Sequence, residues 1–212
     1  MRYRGRVHLE RRDFDRALAD FNQAAKLSPD DFETIFWRAG VYGSKDDFDH
    51  ALVDYSRAIQ LNPAYAATYA IRAHIYTQRK EYARAIADND KAVELLPDNA
   101  MAYQQRCWNR AASNQDLDKA LADCNKSLAI NARDSETLDD RGMVYFRMAK
   151  FDLAKADYDA AIAIKPLGQT LYMRGVTKNR LGDAAGGKAD IAAGLAIDPR
   201  AGEFATSVGI NP

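Results

Sequence analysis

The sequence has few of the residues that would indicate a metal site, a membrane span or an electrostatic role. Its 212 residues include two cysteines and three histidines, and 30 basic residues balance 30 acidic ones. A net charge of zero gives no general attraction to nucleic acid or to an anionic membrane. No apolar run approaches the roughly 20 residues of a membrane-spanning helix. We therefore predict no metal, no cofactor, no nucleic-acid partner and no membrane span.

Groups that could form a catalytic centre are also scattered. His8, His50 and His74 lie far apart in the chain, without a cysteine or an acidic residue at metal-ligand spacing. Residues 182–188 match G-x-x-x-x-G-K, but Ala189 follows where a phosphate-binding loop needs serine or threonine for magnesium. No combination of nucleophile, base and orienting group stands out. The sequence predicts a protein that is not an enzyme.

What the sequence does contain is an internal repeat. Arginine followed by a small residue recurs six times, beginning at Arg4, Arg38, Arg72, Arg106, Arg141 and Arg174. In residues 32–65, apolar residues at helical spacing are followed by a polar turn at 43–46 and by a second helical stretch that ends before Pro63. Each copy is thus two helices joined by a tight turn. A two-helix repeat with a period of about 34 residues predicts an all-α solenoid.

The second helix of each copy also follows a pattern, in which a small residue is followed by aspartate three positions later. Ala51 and Asp54 are the example in the second copy. With R-G-x-x-Y in the first helix and A-x-x-D-Y in the second, the sequence resembles the tetratricopeptide repeat (TPR) family in a bacterial variant. The resemblance covers nearly the whole chain. It implies a right-handed superhelical solenoid of six helix-turn-helix repeats, at 1–31, 32–65, 66–99, 100–134, 135–167 and 168–199.

Residues 200–212 follow the last repeat and form a C-terminal cap or tail. Phe204 and Val208 lie four residues apart, which predicts a short helix over 202–208 whose apolar side covers the sixth copy. The sixth copy itself is atypical, because Gly186, Gly187 and Gly194 are expected to weaken its second helix by up to about 1 kcal/mol each. The fourth copy has one extra residue, which we place in the turn at 112–116.

Arginine and aspartate columns run through all copies with a constant separation, which grows by one position only in the fourth copy, where the turn is longer. The arginine lies beside the small residue on the packed side of its helix, so it needs an acceptor. We interpret the columns as repeated bridges that fix helix packing, in preference to an arginine ladder for anionic ligands. The predicted pairs are Arg4 with Asp20, Arg38 with Asp54, Arg72 with Asp88, Arg106 with Asp123, Arg141 with Asp157, and Arg174 with Asp190.

The resemblance to the TPR family also implies a working surface. In that family the first helices line a concave groove in which a partner peptide lies. The side chains at these positions vary from copy to copy, as expected of a recognition surface. The predicted partner-binding groove includes Phe36, Trp37, His74, Gln104, Trp108, Met143, Phe146, Tyr172, Asn179 and Arg180. Among them, Trp108, Met143, Phe146 and Tyr172 are expected to offer a surface for an apolar anchor.

The sequence therefore predicts a scaffold that binds a protein or peptide. One alternative is self-association, in which an apolar edge of the end repeats stacks on another chain and gives a homo-oligomer. Another is a helical repeat that binds RNA, which the zero net charge and the lack of a recurring pair of base-reading residues disfavour.

The two cysteines, Cys107 and Cys124, occupy inward positions of one hairpin. They are either small apolar core residues or a disulfide, which would indicate an oxidising compartment. The first copy begins inside its first helix, so two locations stay open for a chain that we expect to be soluble. It is cytoplasmic, or it is periplasmic if an upstream export signal was removed and the disulfide forms.

Overall fold

The computed structural model describes residues 1–210, and over that range the backbone forms thirteen α-helices and no strand. The helices are α1 (Arg2–Glu10), α2 (Phe14–Leu27), α3 (Phe32–Ser44), α4 (Phe48–Leu61), α5 (Ala66–Gln78), α6 (Tyr82–Leu95), α7 (Ala100–Ala112), α8 (Leu117–Ile130), α9 (Ser135–Arg147), α10 (Phe151–Ile164), α11 (Gly168–Arg180), α12 (Ala184–Ile197) and α13 (Ala201–Ser207). The first twelve form six hairpins that start where the predicted copies start, which confirms the all-α repeat fold.

The chain divides into two compact units. Met1–Pro97 contains α1 to α6, and Asp98–Pro212 contains α7 to α13. Within each unit the two helices of a hairpin pack on each other, and the second helix of one hairpin packs on the first helix of the next. None of the helices formed by residues 1–210 is long and apolar enough to cross a membrane.

Each hairpin turn contains a residue in the left-handed region of backbone conformation. In five turns this is a single residue with φ between 56° and 87°, namely Arg12, Asp46, Lys80, Ala149 and Gly182. The turn of the fourth hairpin, 113–116, has two such residues, Asn114 and Asp116. The additional residue of the fourth copy therefore lies in this turn as predicted, and both helices of the hairpin keep their usual lengths.

The column of small residues lies at the centre of the hairpins. Ala17, Ala51, Ala85, Ala120 and Ala154 are all 0% exposed, because two helices can approach closely only where side chains are small. Large rings fill the space beside them. A Cβ atom at Gly142 would lie 2.7 Å from the ring of Tyr158, so the small residue after each arginine makes room for a buried ring or its equivalent.

The six arginine and aspartate pairs form bridges of one geometry. In every pair the arginine Nε donates a hydrogen bond of 2.6–2.9 Å to the aspartate, and Nη2 donates a second bond to the other carboxylate oxygen. The six aspartates are 4–8% exposed. This bidentate arrangement joins the first helix of a hairpin to the second and satisfies both buried carboxylate oxygens.

Four of these arginines also reach back to the preceding hairpin of the same unit. Nη1 of Arg38 donates to Asn22 at 3.1 Å, and Nη1 of Arg72 donates to the Ser56 hydroxyl at 2.9 Å. In the second unit, Arg141 and Arg174 make the equivalent bonds to Asn125 and Asp159, at 2.9 and 2.8 Å. One guanidinium thus ties three helices together, which explains the strict spacing of the column.

The glycines of the sixth hairpin, which are expected to weaken its second helix, also have a packing role. A Cβ atom at Gly194 would lie 2.6 Å from the carbonyl oxygen of Gly168, and one at Gly175 would lie 2.7 Å from that of Gly187. The backbones of α11 and α12 touch at these two points. Glycine costs helix propensity here, but the close contact between the helices requires it.

The C-terminal helix α13 (Ala201–Ser207) begins one residue earlier than predicted and packs on α11 and α12 of the sixth hairpin, as expected. It also extends beyond that hairpin, as described below. The last two residues of the predicted tail, Asn211 and Pro212, lie outside the described residues.

A disulfide joins Cys107 in α7 to Cys124 in α8, with Cα atoms 5.4 Å apart and both side chains 0% exposed. Of the two interpretations of the cysteines, the structure has the disulfide. It crosses the fourth hairpin at the level of the bridge between Arg106 and Asp123.

Candidate partner-binding surfaces

The first unit has a cavity of about 330 Å³ between α3 and α5, the first helices of two successive hairpins. It exists because two positions of α3 lack side chains. A Cβ atom at Gly43 would have no atom within 4 Å, and one at Gly40 would meet only the Tyr55 hydroxyl at 3.6 Å. The lining residues are Gly40, Gly43, Ser44, Asp46, Phe48, Tyr55, Ile71, His74, Ile75 and Gln78.

The cavity is apolar inside and polar at its edge. Tyr55 and Ile75 are 2% and 3% exposed and belong to the core of the unit. Burial raises the pKa of the Tyr55 phenol, and the nearby Asp54 raises it further, so the hydroxyl stays neutral. His74 is exposed, and the Gln78 carboxamide lies 2.8 Å from its Nε2 atom. Such a site can take an apolar group and hydrogen-bond the polar groups next to it.

Trp37 and Phe36 differ in position although they are neighbours in the groove predicted from the sequence. Trp37 is half-buried, with the Arg6 guanidinium 4.7 Å from its ring centroid. Phe36 is buried, and its ring lies 5.3–5.9 Å from those of Phe32, Trp37, Tyr55 and Tyr65. Phe36 therefore belongs to an aromatic core, whereas His74 and the edge of Trp37 remain accessible.

The basic start of the chain is partly neutralised within the first unit. Arg2 donates to Asp31 at 3.0 Å and lies 3.1 Å from Glu33. These contacts are half-exposed and contribute little to stability. Arg6, placed over the ring of Trp37, is an exposed basic side chain of α1 beside α3.

The corresponding surface of the second unit is covered by α13. The Phe204 ring stacks on the Trp108 ring, with centroids 5.5 Å apart and an angle of 22° between the planes. Arg147, at the end of α9, donates to the carbonyl oxygen of Val208 and, at 3.4 Å, to that of Ala112. Trp108 lies in α7, so the C-terminal helix contacts the first helices of three hairpins.

The groove residues predicted in the second unit are accordingly not one open surface. Met143 and Tyr172 are 2% and 7% exposed, so neither offers a free surface while α13 is in place. Trp108 is half-buried under Phe204, and Phe146 is half-buried with its ring 5.4 Å from that of Phe151.

Three further predicted residues have separate surroundings. Gln104 is half-buried and donates a hydrogen bond to Asp140. Asn179 and Arg180 are exposed at the end of α11, where the Asn179 carboxamide oxygen lies over Gly187.

A buried acidic pair in α9 was missed by the sequence analysis. Asp139 is half-buried, but its Oδ1 atom is buried without a hydrogen-bond partner in the described part of the chain, and Asp140 is buried. Burial raises the pKa of Asp139 to about 6, an effect that Thr170 offsets in part. Burial, together with the charge of Asp139, raises the pKa of Asp140 well above its ordinary value. The available signal was two acidic residues at the positions that Phe36 and Trp37 occupy in the second copy.

The acidic pair lies near Tyr158, whose hydroxyl is buried and has no hydrogen-bond partner in residues 1–210. Burial and the charges of Asp139 and Asp140 raise the pKa of this phenol. No group of three or more histidine, cysteine, aspartate or glutamate side chains in the described residues could hold a metal ion. Burying this acidic pair and the phenol carries a high electrostatic cost.

Comparisons with known proteins give a consistent result for the family. Models described as tetratricopeptide repeat match residues 1–31, 32–65 and 108–173, which together are more than half of the chain. No curated protein matches the sequence.

Solved structures share the fold at low sequence identity. The type IV pilus biogenesis factor PilW has a TM-score of 0.79 at 18% identity, covering 95% of this chain and 94% of PilW. The pilF protein of Pseudomonas aeruginosa has a TM-score of 0.76 at 15% identity, covering 97% and 95%. YrrB, described as a TPR protein with an unusual peptide-binding site, has a TM-score of 0.66 at 20% identity, covering 84% and 92%.

Proposed function

The chain belongs to the tetratricopeptide repeat family, and on that premise we propose that it is a non-enzymatic interaction scaffold that binds a segment of a partner protein on its first unit. The observation that carries this proposal is the cavity between α3 and α5, formed where Gly40 and Gly43 leave space. In the second unit, by contrast, α13 packs against the first helices, with Phe204 stacked on Trp108 of α7.

The size of the cavity favours a side-chain anchor over a whole small molecule. Its volume of about 330 Å³ is near the lower end of the range of roughly 300–1,000 Å³ for ligand pockets. An apolar side chain of the partner would rest on Tyr55 and Ile75. The partner backbone would then meet polar groups at the edge, with Asp46 as an acceptor and Gln78 as a donor.

Charge gives the proposed partner a second feature. Arg6 is exposed above Trp37, and Trp37 lies one helical turn before Gly40 in α3. An acidic residue beside the anchor would meet this guanidinium. YrrB is described as having a peptide-binding site, which is a property of YrrB and supports only the view that a chain with this fold can bind a peptide.

A cavity-filling variant tests the proposal. Gly43→Leu introduces a side chain where no atom lies within 4 Å of its Cβ, so the first unit should fold and the cavity should be filled. Peptides selected on the wild-type chain from a random library should bind Gly43→Leu at least tenfold more weakly. Ala87→Leu, on the exposed side of α6, is the matched control and should bind normally. Equal binding to Gly43→Leu would contradict the proposal.

Self-association is a second candidate, because α1 presents exposed apolar side chains. Tyr3 is 80% exposed and Met1 is 55% exposed. A second copy packed on this edge would cover both. Light scattering over a concentration series should then show a mass that rises with concentration for the wild type. Tyr3→Ser should have a lower mass than the wild type at each concentration. A constant monomer mass would exclude this alternative.

A further inference from the structure

The C-terminal helix contacts the second unit as a bound ligand would. Its N-terminal end lies against Tyr172 of α11, since a Cβ atom at Gly202 would lie 3.3 Å from the Tyr172 hydroxyl. Its middle stacks Phe204 on Trp108 of α7, and the residue that follows the helix, Val208, accepts a hydrogen bond from Arg147 of α9. A helix that only capped the last hairpin would not need the contacts with α7 and α9.

The two sides of α13 differ as expected of a docked amphipathic helix. Ala201 and Ala205 are 1% and 0% exposed, and Val208 and Ile210 beyond them are 8% and 4% exposed. Glu203, Thr206 and Ser207 face solvent. Small residues let the backbone approach closely, one aromatic ring provides the largest apolar contact, and a carbonyl at the end receives a charged donor.

The helix is too short to be stable when detached. Its seven residues are well below the roughly 12–15 residues at which an isolated helix becomes marginally stable in water. Its helical structure therefore depends on the surface beneath it. It joins the rest of the unit through the short connection 198–200, so it can leave that surface without unfolding a hairpin.

We propose that Trp108, Arg147 and Tyr172 form a helix-docking site and that α13 occupies this site as a self-ligand. The external ligand is a helical segment of a partner protein with the chemistry of α13. It has small residues four apart, an aromatic residue between them and a free carbonyl after its last turn. This partner binds only when α13 is displaced. Its apparent affinity is therefore the affinity for the open site multiplied by the fraction of chains in which the site is open. The site is separate from the cavity of the first unit and does not rest on the function proposed there.

Trp108 itself reports whether the site is open. The chain has two tryptophans, Trp37 and Trp108, so Trp37→Phe leaves Trp108 as the single tryptophan, which can be excited selectively. In that background Phe204→Ala should raise the acrylamide quenching constant of Trp108 at least twofold. Glu203→Ala changes the exposed side of the same helix and should leave the constant unchanged.

Binding in trans completes the test. A fluorescein-labelled peptide of residues 200–210 should bind the full-length Phe204→Ala chain at least tenfold more tightly than the wild type, by fluorescence anisotropy. The same peptide carrying Phe204→Ala should not bind, and Trp108→Ala in the chain should abolish binding. If Phe204→Ala lowers the far-UV helix signal, the experiment uses Gly202→Val in its place. That substitution displaces the helix from Tyr172. Equal binding to wild-type and opened chains, or no binding to either opened chain, would overturn the proposal.

Discussion

The two units are built from three hairpins each, yet their first helices meet the surroundings in different ways. In the first unit, Gly40 and Gly43 leave a cavity open to solvent. In the second unit, the first helices carry Trp108, and the chain's own C-terminal helix stacks Phe204 on it. Both units keep the same bridges between arginine and aspartate. The repeat fixes packing inside the hairpins and leaves the outer side chains of the first helices free to differ.

The second unit also contains two features that the first unit lacks in its described residues. The disulfide between Cys107 and Cys124 crosses its first hairpin, and the acidic pair Asp139 and Asp140 lies in its second. The units should therefore respond differently to reductant and to pH, although their backbones are alike. Four predictions test this contrast.

The largest effect is expected from a broken bridge, and it should be equal in both units. Asp88→Ala leaves Arg72 half-buried beside a lost acceptor, which should cost about 3–5 kcal/mol in free energy of unfolding. Asp157→Ala should have the same effect on the second unit. Denaturant unfolding measures the loss. The double variant Asp88→Ala with Arg72→Leu should lose less than Asp88→Ala alone, and an equal or larger loss would contradict the role of the bridge.

Loss of the disulfide should destabilise the second unit only. Cys107 and Cys124 are 17 residues apart, and closing a loop of that size is worth about 3 kcal/mol. Replacing both cysteines by alanine should therefore raise hydrogen exchange in α7 and α8, with no change in α3 and α4. Hydrogen-exchange mass spectrometry measures this for the alanine variant, and the wild type with and without dithiothreitol gives the same comparison for the reduced chain. Faster exchange in both units would show that they do not unfold independently.

The acidic pair should make the second unit less stable as pH rises. The pKa of Asp139 is about 6 in the folded chain, above its ordinary value of 3.8, so the stabilising protonated form is fully present below about pH 4. It is lost as pH rises through 6. The free energy of unfolding of Asp139→Asn should therefore exceed that of the wild type by about 1–3 kcal/mol at pH 8. At pH 4 the two should be equally stable. Thermal melts at both pH values measure it, and a constant difference would contradict the assignment.

The smallest effects should come from two glycines with opposite results. Gly43→Ala in the first unit gains helix propensity with no contact within 4 Å, so it should stabilise by up to about 1 kcal/mol. Gly194→Ala in the second unit places a Cβ atom 2.6 Å from a carbonyl oxygen, so it should destabilise by about 1–3 kcal/mol. The difference in melting temperature between the two variants tests the contrast. If both variants melted at a higher temperature than the wild type, the contact between α11 and α12 would be able to relax.

The repeat architecture could be predicted from sequence because its signals are local and occur six times. The spacing of the arginines located every hairpin, and the longer separation of Arg106 from Asp123 located the longer turn at 113–116. Bridges such as Arg38 with Asp54 followed from the need to pair a packed guanidinium. Each copy supplied an independent test of the same interpretation.

The working surface was harder to predict because it depends on contacts between distant residues. The contact of Phe204 with Trp108 joins residues from opposite ends of the second unit and follows from no periodicity. Met143 was assigned to the groove from its position in the repeat, but neighbouring helices bury it. Whether Cys107 and Cys124 form a bond also depended on the distance between two helices, which the sequence does not give.

Four arginines of the column bond to the hairpin before them, all in the same direction along the chain. Arg38 and Arg72 both reach toward the amino terminus, to Asn22 and Ser56. Arg4 has a side chain that is 67% exposed, against 20% for Arg38, so its guanidinium remains an accessible donor beside its bridge to Asp20. A hairpin fused upstream, with asparagine at the position equivalent to Asn22, would meet that donor. Engineered lengthening of the array should therefore succeed more easily at its amino-terminal end than at the end closed by α13.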